Sequence, residues 1–112
     1  MKERGYIAEL RSDGTVKAIY VRMGGFENLE KYHNTQTDVD KLMSYEEYIN
    51  IGDNVFMPDD QSDMDHTYYC NNTKQRDAII FKNELDFGRR IRKEPFIDIV
   101  FLWKIGCWCE LK

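Results

Sequence analysis

The chain has no stretch approaching the roughly 18 consecutive apolar residues that a membrane-spanning helix requires. Its longest apolar run, Pro95 to Trp103, is broken by Asp98. Cysteine is scarce, at three residues in 112. No apolar segment follows the opening Met-Lys-Glu-Arg-Gly, so a secretory signal is not expected. Together these features argue against a disulfide framework. A glycine-rich phosphate loop is missing too, since Met23-Gly24-Gly25 is too short for one. Asp59-Asp60-Gln61-Ser62-Asp63-Met64-Asp65 lacks the glycine and terminal glutamate of an EF-hand loop. Neither an internal repeat nor a low-complexity tract is found, and no cofactor is expected. Asn71-Asn72-Thr73 matches a glycosylation sequon, but in a chain expected to stay in the cytosol it reads as a polar turn.

What is present suits one soluble domain spanning residues 1–112. Hydrophobic residues make up 42% and aromatics 13%, so large rings must carry much of the burial. Charged residues, at 32%, supply a well-solvated surface around a net charge of −4. That net value hides an asymmetry. Between Glu27 and Asp65 eleven acidic residues face only Lys31 and Lys41. Between Lys74 and Lys93 seven basic residues outnumber Asp77, Glu84 and Asp86.

Asp13-Gly14 sits between two alternating segments, residues 4–10 and 15–21, and predicts a hairpin closed by a two-residue type I′ turn. Met23-Gly24-Gly25-Phe26 reads as a turn or bulge. A short helix is expected over Asn28 to Asn34, and a second after Thr37 as N-cap. Ser44 with Glu47 reads as a capping box opening another helix through Ile49, which Gly52 ends. A loop over 53–65, a strand from His66 to Cys70, a turn at Asn71-Asn72-Thr73-Lys74 and a strand over 77–81 follow. Asn83 to Lys93 reads as a helix weakened by Gly88. Phe96 to Trp103 is the strongest strand, apolar on both alternating faces, hence central and covered or a subunit interface. A turn at Lys104-Ile105-Gly106 returns it as Cys107 to Leu111. The order predicts an α+β fold: an antiparallel sheet built from N- and C-terminal hairpins, with short helices packed on one face.

Several constellations could carry chemistry. Cys107 and Cys109 share a face if they lie on a strand, and with Cys70, His66 or His33 a four-ligand zinc site can be drawn. Buried free cysteines are the plainer reading, and no metal is expected. His66 follows Asp63 and Asp65, but no nucleophile or second base is placed beside it, so a surface histidine is expected and no catalytic residue is assigned. Arg89, Arg90, Arg92 and Lys93 form a basic cluster able to touch phosphates, with Tyr68, Tyr69 or Phe87 available for stacking. The acidic residues Asp38, Asp40, Glu46, Glu47, Asp59, Asp60, Asp63 and Asp65 could instead dock on a basic partner.

The residues from Asp13-Gly14-Thr15-Val16 through Ala18-Ile19-Tyr20-Val21, Gly25-Phe26, Lys31-Tyr32-His33-Asn34-Thr35, Val39, Leu42-Met43 and Ile51-Gly52-Asp53 resemble a group of small bacteriophage- and prophage-encoded proteins. Phe101-Leu102-Trp103 through Gly106-Cys107-Trp108 is similar to their ending. The group's Cys-His-Trp-Asp is replaced here by Val21-Arg22-Met23-Gly24, so a site built on those side chains is absent. The resemblance implies a viral origin and an accessory role in the cytoplasm of an infected bacterium. The resulting expectation is a non-enzymatic protein that binds a host protein through its acidic surface, for takeover or counter-defence. The alternative is nucleic-acid binding through residues 89–93. No membrane partner is expected, and a homo-oligomer is open.

Overall fold

Every side chain of the strand β2 (Val16–Val21) is buried, and the rest of the chain is arranged around it. Ile19 and Val21 point to one face, and Val16, Ala18 and Tyr20 to the other. A strand apolar on both faces must be covered on both. The computed structural model describes residues 3–52, 54–55, 69–73 and 75–112. Among them β1 (Gly5–Leu10) and β2 are followed by α1 (Asn28–Tyr32), α2 (Gln36–Leu42), β3 (Glu47–Asn50), β4 (Asn54–Val55), β5 (Tyr69–Thr73) and β6 (Ile79–Phe81). The chain then forms α3 (Glu84–Arg92), β7 (Ile99–Lys104) and β8 (Cys107–Glu110). Across the sheet the order is β4-β5-β3-β2-β1-β7-β8, and β6 pairs separately with β2.

The fold is α+β, as the element order predicts, but the sheet is mixed rather than antiparallel. The pairs β1–β2, β3–β5, β2–β6 and β7–β8 are antiparallel, whereas β1–β7, β2–β3 and β4–β5 are parallel. The two hairpins join through their first strands, with Gly5 opposite Ile99 and Glu9 opposite Trp103. Nor do the helices share one face. Leu29 of α1 and Val39 and Leu42 of α2 pack with Ile7, Ile19, Val21 and Trp103. Phe87 and Ile91 of α3 pack on the other side with Ala8, Ala18, Val100 and Leu102. The strand expected over residues 96–103 is central, between β1 and β8, and runs from Ile99 to Lys104.

Local chemistry explains where the remaining expectations shift. At Asp13-Gly14 only the glycine takes a positive φ, +88°, and residues 11–15 close the hairpin through Arg11 N donating to Thr15 O at 2.8 Å. Asp13 is held out of the type I′ geometry because its carboxylate accepts from Thr15 N at 2.9 Å and Thr15 Oγ1 at 2.6 Å. Those bonds draw its carboxyl below the usual range. The two-residue turn occurs instead at Ile105-Gly106, with φ of +51° and +74° between the paired Lys104 and Cys107. Gly25 is required where it stands: its φ is +92°, and a Cβ there would lie 2.1 Å from Ile51 O.

Thr35, not Thr37, caps α2, accepting from Asp38 N at 3.1 Å while its hydroxyl donates to Asp38 Oδ2 at 2.8 Å. Asn83 caps α3 in the same way, accepting from Asp86 N at 2.8 Å. Ser44 and Glu47 form no capping box. Ser44 donates to Lys41 O at 2.7 Å, and Glu47 opens β3 in parallel pairing beside Tyr20. Residues 71–73, expected as a turn, continue β5 along β3. Of the expected loop over 53–65, Asn54 and Val55 pair with Tyr69 and Cys70. The rest of that loop, including Asp59, Asp60, Asp63 and Asp65, lies outside the described residues, as do His66 and Tyr68.

Candidate nucleic-acid interface

Tyr20 and Arg22 share a strand face by alternation, and Glu47 of β3 pairs beside Tyr20 with its side chain fully buried. The Glu47 carboxylate is met from both sides. Arg22 donates from Nε to Oε2 at 3.3 Å and from Nη2 to Oε1 at 3.5 Å. The backbone N–H groups of Gln75 and Arg76 each donate to Oε1 at 3.2 Å. A buried carboxylate is tolerated only when its lone pairs are so occupied. It therefore fastens the segment at 75–76 at the start of β3. Arg22 Nη2 also donates to Gln75 Oε1, tying side chain to segment a second time.

This fastening places the Arg76 guanidinium over the Tyr20 ring, 4.1 Å from its centroid. Arg4, at the approach to β1, completes a concavity of about 350 Å³ lined by Arg4, Tyr20, Arg22, Met23, Gln75 and Arg76. Three guanidinium groups thus gather around one aromatic ring. Guanidinium offers a planar fork of donors suited to phosphate oxygens.

Helix α3 approaches the pocket through Tyr6, whose hydroxyl donates to Glu94 at 3.1 Å. The Tyr6 and Tyr20 rings meet edge to face at 5.8 Å, and Arg76 and Arg90 both act electrostatically on the Tyr6 hydroxyl. Of the four α3 residues proposed from sequence, Arg90 pairs with Glu94 at 2.8 Å and Arg89 with Asp86 at 3.9 Å. Arg92 and Lys93 are exposed. Arg4, Arg22 and Arg76 do not stand out in the sequence because each is contributed singly by a different segment. The one local signal is the spacing of Tyr20 and Arg22, which puts ring and cation on one strand face.

Of the proposed acidic residues, four are described. Asp38 and Asp40 lie on α2, where Asp40 accepts from Gln36 Nε2 at 2.8 Å. Glu46 is exposed but bonded to Ala78 N at 2.6 Å. Glu47, expected as a contact residue, is buried and cannot touch a partner. Asp40 also lines a separate polar groove of about 580 Å³ with Glu9, Asp13, Lys17 and Gln36. There Lys17 Nζ donates to Met43 O at 2.6 Å, and burial pushes its ammonium below the usual lysine range.

The zinc set drawn from sequence is not assembled. Cys70 is fully buried, with His33 Nε2 3.6 Å from its sulfur. Cys107 is exposed and Cys109 partly exposed on β8, so neither is a core cysteine. Among the described residues no three His, Cys, Asp or Glu side chains converge on a metal position, and no helix is long and apolar enough to cross a membrane.

Comparison with curated proteins finds a decapping nuclease, dom-3 of Caenorhabditis elegans, 32% identical over 78 residues. The match takes in 64% of this chain but 18% of the nuclease, so the chain spans less than a fifth of that relative's length. No protein-family profile and no solved structure matches the chain.

Proposed function

We propose that the chain binds nucleic acid, with Arg4, Arg22 and Arg76 as phosphate contacts and α3 extending the basic track. The observation that carries this reading is the convergence of three arginines on one concavity with Tyr20, two of them, Arg22 and Arg76, held through a buried carboxylate. Sequence similarity to a protein named as a decapping nuclease supports it, because nucleic acid is what a nuclease handles. The pocket's chemistry is anion recognition. Glu47 faces inward with its oxygens engaged by four donors, and its part is to position Arg22 and the segment that carries Arg76.

The test is fluorescence anisotropy of labelled single-stranded RNA and DNA titrated with the full chain across a salt series. Binding is expected to weaken as salt rises, with each phosphate contact contributing about 0.7 to the log–log slope on a single strand. Arg4→Ala and Arg76→Ala should each weaken binding to all sequences alike and lower that slope by somewhat under one. Arg92→Ala reports whether the track reaches the end of α3. Binding that ignores salt, or that survives Arg4→Ala/Arg76→Ala unchanged, would remove the assignment.

A further inference from the structure

Cys107 and Cys109 flank Trp108 on β8. Trp108 turns inward, its ring 5.3 Å from that of Trp103 and its Nε1 donating to His33 O at 2.8 Å. Strand alternation therefore puts both cysteines together on the opposite face. Cys107 is exposed and Cys109 partly so. The Cys107 thiol also donates to Lys104 O at 3.5 Å. β8 ends the strand order, so among the described residues no further strand covers its outer side.

The chemistry open to this pair is narrow. Residues two apart on a strand have Cα atoms about 6.5 Å apart. That is near the upper limit for a disulfide, and the Cβ vectors run side by side instead of facing one another. A bond between the two sulfurs would strain the strand, so the pair is better suited to holding an ion between them. Zinc prefers four ligands in a tetrahedron, and no third His, Cys, Asp or Glu converges here among the described residues. Two thiolates alone suit a soft cation that accepts few ligands, and thiolate sulfur selects copper(I) among the common metals.

We propose that Cys107 and Cys109 form a two-sulfur site for copper(I). Binding forms two S–Cu bonds and releases both thiol protons to solvent, with no change of oxidation state. The neutral dithiol then becomes a complex carrying one negative charge. Lys104, opposite Cys107 in the ladder, is paired with Glu84 at 2.8 Å, and both charges lie within electrostatic reach of Cys109.

The experiment is an anaerobic titration of the reduced full chain with copper(I) held by the chromogenic chelator bicinchoninate, followed by assay of free thiols. The expected result is one copper withdrawn per chain, with two of the three thiols protected. Cys107→Ser and Cys109→Ser should each abolish the withdrawal, and Cys70→Ser should retain it. Failure of the parent chain to take copper from the chelator would overturn the proposal. So would copper uptake by either β8 variant equal to the parent's, or its loss in Cys70→Ser. Circular dichroism of each variant confirms that any lost binding is not lost folding.

Discussion

The Arg22 guanidinium lies 3.3 Å from the Glu47 carboxylate, and of the two side chains only Arg22 reaches solvent. The pair is a hinge pin between β2, β3 and the segment at 75–76. The carboxylate spends its inner lone pairs on two backbone amides and its outer ones on the cation at the rim of the basic pocket.

Removing that charge while keeping the shape should therefore cost stability. Glu47→Gln leaves an amide where charge-assisted bonds were made and turns an NH2 toward existing donors. A loss of about 2–4 kcal/mol is expected in urea unfolding at neutral pH. Asp40→Asn, on the surface of α2, should stay within about 0.5 kcal/mol of the parent. If Glu47→Gln is as stable as Asp40→Asn, the carboxylate does not hold the segment.

Tyr6 makes the fold sensitive to alkali. Burial first, and then the neighbouring Glu94, push its hydroxyl from 10.0 up to about 12. In the unfolded chain the proton leaves near the ordinary value, whereas the folded chain keeps it. Tyr6's contribution is thus complete below pH 10 and is lost as the pH rises through 12. Tyr48, raised by its own burial, acts in the same direction. Tyr6→Phe cannot ionise, so the stability gap between parent and variant should narrow over this interval in urea midpoints taken at successive pH values. A gap that stays constant would contradict the linkage.

Ile105 occupies a left-handed position, φ +51°, in the tight turn between β7 and β8, and is 91% exposed. A β-branched residue there carries a conformational penalty with no packing to offset it. Ile105→Asn, which creates the dipeptide such turns favour, should stabilise the chain by about 1 kcal/mol. The change is read as a raised thermal midpoint; an unchanged or lowered midpoint would mean the turn is not strained in solution.

Much of the local structure is legible in the sequence. Both hairpins, the α1 and α3 segments and the Gly24-Gly25 turn follow from alternation and turn chemistry. The failures share a cause. Ser44 and Glu47 have the spacing of a capping box, yet Glu47 is claimed by Arg22 and by amides nearly thirty residues away. The parallel pairings leave no local trace, because Gly5 and Ile99 become neighbours only after everything between them has folded back. Among the described acidic residues of the run from 27 to 65, Glu47 points inward while Asp40 lies on α2. For the same reason the basic site has no local signature: its three arginines come from residues 4, 22 and 76 and meet only in the fold.

The parallel pairing of β1 with β7 also bears on how the chain reaches this state during synthesis. The β1–β2 hairpin emerges from the ribosome before β7, because the partner for the free edge of β1 is encoded some ninety residues later. Until then β1 presents unpaired backbone groups along Gly5–Leu10, and the apolar side chains of both its faces lack their cover. Closing so long a loop is entropically expensive and slow. The nascent chain must keep this sticky edge harmless until β7 arrives, so a stall in translation before residue 99 should leave a species prone to pairing with its neighbours.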